Sequence, residues 1–275
     1  MRLLLAWLMF LSLLKGVSQE LSVMTYNIRL DWGNDQNSWT NRKEPLLSQI
    51  QFYEPDIFGI QEGLPHQVSY LDSALEAYSY IGVGRDDGKW AGEYSAIYFK
   101  TADFKLLNQS TFWLSTTPDV PSLGWDAAIK RICTYALFQR NADGRQFWIF
   151  NTHFDHVGVK ARENSMELIL SKIDSLNKKN LPVVLMGDLN LQPHETPIVL
   201  AKGTLQDSRE VADLVFGIEG TFNGFNFENV PTRRIDYVFI NEHFSVNKYA
   251  VLSEALDLRY ISDHFPVYCL LSFRE

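Results

Sequence analysis

Six short polar segments, each closing or opening an apolar run, hold the residues with the most reactive chemistry: Asn27, Glu62, His153, Asp188 with Asn190, Asp236, and Asp263 with His264. Carboxylate and amide oxygens suit a hard divalent cation, while imidazoles move protons and donate to phosphoryl oxygens. The set points to metal-assisted displacement at phosphorus.

Gly187-Asp188-Leu189-Asn190 follows the apolar run Val183 to Met186, which predicts Asp188 and Asn190 on one side of the chain just past a strand end. A carboxylate there can orient a nucleophilic water while the amide holds a phosphoryl oxygen. Ser262-Asp263-His264-Phe265-Pro266 precedes the last strand. Asp263 is expected to face the metal and His264 the phosphate or the attacking water, with Asp236 orienting the second imidazole nitrogen. Either Asp188 or His264 would activate the water.

Glu62 closes Ile57 to Ile60 and is expected to be the principal metal ligand, because an acid at a buried strand end is costly without a partner. Asn27, in Tyr26-Asn27-Ile28-Arg29, would position Glu62 or bind the metal itself, and Arg29 would reach phosphate. His153 follows Phe147 to Phe150 and would protonate a leaving oxygen or donate to the phosphorane, with Glu93 as its orienting partner. His156 reads as a solvent-facing loop residue. Arg131 is the expected phosphate clamp. Trp125, Lys130, Phe222, Phe225 and Phe227 are candidates for substrate contact, with simple packing as the alternative. Taken singly, each segment also reads as a turn, a cap or a structural hydrogen-bonder.

Strands must deliver these groups to one edge. Leu21 to Tyr26, Asp56 to Ile60, Tyr94 to Phe99, Phe104 to Leu114, Val183 to Met186, Ile235 to Ile240, Phe244 to Val251 and Val267 to Phe273 read as strands. Arg131 to Phe138 and Gln146 to Thr152 form a predicted hairpin across Asn141 to Gly144. Helical spacing runs from about Arg42 to Tyr53, from Pro65 to Ala77 and from Val159 to Leu176. Strands spread over the whole length favour two sheets packed face to face with helices outside.

In order, Tyr26-Asn27-Ile28-Arg29, Gln61-Glu62, Thr152-His153-Phe154, Gly187-Asp188-Leu189-Asn190, Arg234-Ile235-Asp236-Tyr237 and Ser262-Asp263-His264-Phe265-Pro266 resemble the motifs of the endonuclease/exonuclease/phosphatase superfamily. The resemblance implies a four-layer α/β sandwich, two packed mixed β-sheets flanked by helices, that hydrolyses a phosphoester with Mg2+ or Mn2+. It implies that Glu62 and Asp263 bind metal with Asn27 nearby, that Asp188 and Asn190 orient nucleophile and phosphate, and that Asp236 supports His264. His153 and Glu93 resemble the second His-carboxylate pair of the deoxyribonuclease branch. An inositol-phosphatase signature around Arg234 is missing, and Arg29 stands where abasic-site endonucleases carry an acid.

Residues 1–18 read as a signal peptide, from the basic start Met1-Arg2, the apolar stretch Leu3 to Leu14 and the small residues Gly16 to Ser18. The expected mature chain, 19–275, is one domain exported to the periplasm or the exterior, with an uncleaved anchor as the alternative. The charge of −8 over 275 residues argues against a general polyanion-binding surface. Cys133 and Cys269 read as buried thiols rather than a disulfide framework, although export would permit a bridge. The expected function is a phosphodiesterase or nuclease. The alternatives are a phosphatase for a small-molecule, sugar or lipid-borne phosphoester and a non-catalytic binding protein. The expected partner is the phosphoester substrate, nucleic acid or small phosphorylated molecule; a monomer is expected, with no protein partner evident and no stable membrane insertion after leader removal.

Overall fold

The computed structural model describes residues 20–33 and 36–274. The expected leader lies outside the described residues, and among those described no helix is long and apolar enough to cross a membrane. The chain runs β1 (Glu20–Asn27), α1 (Trp39–Tyr53), β2 (Ile57–Gln61), α2 (Pro65–Ala74), β3 (Tyr78–Ile81), β4 (Ile97–Lys100), β5 (Phe104–Trp113), β6 (Ile132–Arg140), β7 (Gln146–His153) and α3 (Val159–Leu176). It continues through β8 (Val183–Asp188), α4 (Thr196–Lys202), β9 (Gln206–Asp207), α5 (Ser208–Val211), β10 (Leu214–Phe216), β11 (Asp236–Ile240), β12 (Phe244–Val251), β13 (Ala255–Leu256), β14 (Arg259–Tyr260) and β15 (Val267–Phe273).

Two mixed sheets pack face to face. The larger has the order β10-β12-β15-β1-β2-β4-β3 and the smaller β5-β6-β7-β8-β11-β9. Their inner faces share one apolar core that includes Val23, Ile57, Phe138, Phe147, Val184, Met186, Val238 and Val267. On the outside, α1 and α2 cover the larger sheet through Leu46, Ile50, Val68 and Leu71. Helices α3 and α4 cover the smaller one through Met166, Ile169, Ile173 and Ile198. Strands β1, β2 and β8 lie between covered faces, which explains their near-continuous burial. Each large apolar side chain buried this way contributes about 1.5–3 kcal/mol.

Helix α3 follows the 3.6-residue period, with Ala161, Ser165, Met166, Ile169 and Ile173 buried. Its orphan N-terminal amides are taken up by Asp126, whose carboxylate accepts from Ala161 N at 2.7 Å and Lys160 N at 3.2 Å. Several boundaries differ from the sequence reading, among them the end of α2 at Ala74 rather than Ala77. Helix α1 begins at Trp39 rather than Arg42, because the Trp39 indole is buried in the outer core. The strand expected from Tyr94 begins only at Ile97, since Tyr94 N donates to Gly63 O at 2.8 Å in an isolated bridge. Cys133 and Cys269 are both free and buried, on β6 and β15 of different sheets.

A polar pin joins the two sheets. Gln61 Nε2 donates to Asn151 Oδ1 at 2.7 Å and to Thr25 Oγ1 at 3.0 Å, and Asn151 Nδ2 donates to the carbonyls of Ile60 and Ala96, each at 2.9 Å. A second close approach sits at Gly187, with φ +147°, where an added Cβ would lie 2.0 Å from Thr152 O. Gly187→Ala is therefore expected to cost about 3 kcal/mol through backbone strain and overpacking, lowering Tm by roughly 6–12 °C. A calorimetric Tm within 2 °C of wild type would overturn that account.

Candidate active site

The site is built by strand ends. Parallel pairing of β1 with β2 sets Asn27 beside Gln61, so Glu62 comes next at the same edge. In the other sheet, β7 and β8 run parallel with His153 opposite Asp188, and antiparallel β11 sets Asp236 opposite Asp188. The segment before β15 brings Asp263 and His264 to this edge, since β15 runs antiparallel to β1. The two sheets thus contribute facing halves of a cleft of about 640 Å3.

Asn27 sits at the seam. Its Nδ2 donates to Glu62 Oε1 at 3.0 Å and Asp188 Oδ2 at 3.0 Å, joining carboxylates from both sheets. Its Oδ1 accepts from Arg29 N at 3.0 Å, so the amide orients Glu62 and does not turn its oxygen into the cleft as a ligand would. Glu62 Oε2 accepts from Leu30 N at 3.0 Å. His264 Nδ1 lies 2.9 Å from Asp236 Oδ2, and its Nε2 lies 3.7 Å from Asp188 Oδ2.

Burial opposes charge on His264, yet Asp236 and Asp188 outweigh it and hold the imidazole well above its usual range. Burial and the nearby Asp236 push the Asp188 carboxyl up to about 7, against the lowering pull of His264. His153 is driven the other way, by burial and then by Arg131 and Arg85, so its imidazole is neutral. The site therefore holds one charged and one neutral imidazole on either side of a carboxyl poised to exchange a proton.

Behind His264 stands a residue that sequence reasoning missed. Thr221 is fully buried, and its hydroxyl accepts from the amides of Ile235 at 3.0 Å and Asp236 at 3.1 Å. It fixes the backbone that aims Asp236 at His264. Thr221→Val is expected to lower kcat about tenfold, within the range seen when groups supporting a site residue are lost. Thr221→Ser should restore it; equal kcat in the Val and Ser variants would remove Thr221 from this role.

Several expectations differ from what the structure places here. Glu93 is clamped by Arg85, with two hydrogen bonds of 2.6 Å, so it does not orient His153. A guanidinium fork satisfies both carboxylate oxygens better than one imidazole N–H can. His153 Nε2 instead lies 3.2 Å from Asn190 Nδ2 and 3.3 Å from Asp188 Oδ2. Arg29 does not line the cleft: it donates to Asn37 O at 3.2 Å, stacks over Phe225 at 4.8 Å and lies 3.9 Å from Asp263.

Arg131 does line the cleft, buried, with Nη2 3.1 Å from His156 Nδ1 and Nε 3.6 Å from Asp155. His156 is exposed as expected but stands at the cleft wall rather than away from it. Among the aromatic candidates Phe222 lines the cleft, edge-on to His264 at 5.0 Å, whereas Phe227 packs on Tyr260 at 4.7 Å and Trp125 is not part of the lining. Lys130 is tied to Asp86 O at 2.8 Å. Arg234 makes two hydrogen bonds, 3.0 and 2.7 Å, to buried Asp207 and has a structural role. Trp32, Arg85 and Arg233 line the cleft and carry no motif that marks them in sequence.

The donor chemistry fits a hard divalent cation. One oxygen of Glu62, a nitrogen of His153 and one oxygen of Asp188 lie mutually within 4.8 Å, as do Asp188, Asp236 and His264. Asp263 lines the same cleft outside both groups, and burial together with the facing charge of Glu62 raises its carboxyl. Acidic groups confronting each other across a cleft are relieved by a bound cation.

The endonuclease/exonuclease/phosphatase family model matches residues 24–264. A solved endonuclease/exonuclease/phosphatase family protein of Bacteroides thetaiotaomicron is 41% identical, covering 93% of this chain and 98% of its own, with a TM-score of 0.89. A mannosyl-6-phosphatase of the same organism is also 41% identical, covering 92% of this chain and all of its own, with a TM-score of 0.88. Human tyrosyl-DNA phosphodiesterase 2 is 26% identical over 176 residues, 63% of this chain but only 43% of that protein. The matched span begins within β1 and ends on His264, so it takes in both halves of the cleft: this chain belongs to the endonuclease/exonuclease/phosphatase family.

Proposed function

We propose that the chain is a divalent-metal-dependent phosphoester hydrolase that uses Mg2+ or Mn2+ and acts on small phosphomonoesters. The observation that carries this reading is the pairing of buried Asp188 and His264 beside an acidic cation site and a buried arginine, all in one cleft. Glu62 and Asp263 would hold the ion, with Asn27 orienting Glu62. When bound, the ion neutralises a non-bridging phosphoryl oxygen.

The residues of the chain do the rest. Asp188 accepts the proton of the water that attacks phosphorus, a task suited to a carboxyl pushed up to about 7. His264, kept charged by Asp236, donates from Nε2 to the phosphoryl oxygens as their charge grows. Asn190 and neutral His153 hold the phosphoryl group from the opposite wall. The leaving oxygen departs with its alcohol and takes a proton from solvent. Arg131 lines the same cleft with its charge balanced by buried Asp155.

The likeness to the mannosyl-6-phosphatase, with its nearly complete coverage of both chains, supports the monoesterase reading. A phosphodiesterase is the second reading, supported by the likeness to tyrosyl-DNA phosphodiesterase 2. Export belongs to the same proposal, on the strength of Met1-Arg2 and the apolar run from Leu3 to Leu14.

The test is hydrolysis of p-nitrophenyl phosphate, bis-p-nitrophenyl phosphate and single-stranded DNA with Mg2+, Mn2+ or chelator. Metal-dependent turnover with the monoester preferred is the expected result. A diester preference transfers the protein to the second reading, and turnover that survives chelation overturns the metal site.

A further inference from the structure

The cleft has a second arm. Beside the Asp188–His264 centre, Arg85, Glu93, Arg131 and His156 form one polar wall. The Arg85–Glu93 pair is only 12% exposed on each side chain, and the Arg131–Asp155 pair still less. Despite this burial, Arg85 Nε and both Nε and Nη1 of Arg131 make no hydrogen bond among the described residues. Such donors are costly to leave unmet, so a ligand that reaches this wall must bring acceptor oxygens.

Charge narrows the ligand class. Two guanidinium groups stand against two carboxylates, Glu93 and Asp155, so the wall has spare donors but no net positive charge with which to hold a second phosphate or a carboxylate. An apolar group would leave the donors stranded. A hydroxyl both donates and accepts, and so matches a carboxylate and a guanidinium presented side by side. At the mouth, Trp32 is 69% exposed and adds a flat apolar face. Ring C–H groups pack on such a face while hydroxyls meet the polar wall.

We propose that this arm is a leaving-group subsite for a neutral polyhydroxylated alcohol, with the Arg85–Glu93 pair and Arg131 reading its hydroxyls, which makes sugar phosphates the substrate class. This rests on the phosphomonoesterase reading above. A site built to pair with hydroxyls strongly rejects analogues that lack them, because its own buried groups are then left unpaired.

The experiment compares kcat/KM for a hexose 6-phosphate and for n-hexyl phosphate in wild type, Glu93→Gln and Arg85→Lys, with Mg2+. Wild type is expected to prefer the sugar ester by about 100-fold or more. Each variant should lose at least about tenfold more on the sugar ester than on the hexyl ester. Because the ratio is taken within one preparation, a poorly folded variant lowers both numbers and leaves the ratio alone. Equal kcat/KM for the two esters in wild type overturns the subsite and leaves the phosphatase reading standing. If only diesters are cleaved, the phosphatase reading fails. Competitive inhibition of that turnover by free hexose, weakened in Glu93→Gln, then supports the subsite by itself, and its absence overturns it.

Discussion

His264→Ala is expected to lower kcat on p-nitrophenyl phosphate by about 100- to 10,000-fold, the range spanned by positioned proton-transfer groups. The imidazole meets Asp236 through Nδ1, and its Nε2 lies near both Asp188 and Asn27, at 3.7 and 3.5 Å. Of the two imidazoles facing Asp188, it alone is held charged, since His153 is driven to the neutral form. No other group can take over at the same place. The fold should survive, because His264 lies before β15 and outside the ladder that joins this strand to β1. His264→Gln, which keeps a donor for Asp236, should recover thermal stability without recovering rate. A kcat for His264→Ala within tenfold of wild type would remove the residue from the chemistry.

The second large effect is expected at Glu62. Its two oxygens are held by Asn27 Nδ2 and Leu30 N, both at 3.0 Å, so the carboxylate is aimed before any ion arrives. Glu62→Gln removes a charge, and its amide can accept from only one of those donors while turning an N–H toward the other. Cation affinity should fall by more than the 10- to 100-fold typical when an orienting neighbour is lost, roughly 100-fold or beyond. Binding can be read without turnover. At a concentration of Mg2+ near 100 Kd, wild type gains about 2.7 kcal/mol of stability, and Tm should rise accordingly. Glu62→Gln, weakened 100-fold, should gain only about 0.4 kcal/mol at that concentration; an equal rise in both proteins would place the ion elsewhere.

Much of this site was legible because strand ends leave a signature. Asp188 after Val183 to Met186 and Glu62 after Ile57 to Ile60 are polar residues that interrupt apolar runs, and both reached the cleft. Helix α3 was readable for the same kind of reason, an uninterrupted period. What stayed hidden depends on contacts between distant segments. Glu93 carried no sign that Arg85, eight residues earlier, would take both its oxygens. Arg29 is deflected by a left-handed backbone, φ 54°, and by Phe225 nearly 200 positions away. Trp32, Arg85 and Arg233 lie in loops, where no period announces which way a side chain points.

The placement of β15 has a consequence for timing. This last strand is not added at a sheet edge but inserted between β12 and β1, so the first and last strands of the fold are neighbours. The carboxylate and imidazole of Asp263 and His264 arrive with it. A chain not yet extended through β15 can have formed β1, β2, β7 and β8, yet it holds Asn27, Glu62 and Asp188 with no imidazolium facing them. The long-range pairing that completes the sheet is slow to close, and the catalytic centre must wait for it. Hydrolytic competence therefore begins only when β15 has paired with β1 and β12, and a chain that stops short of this strand is inert.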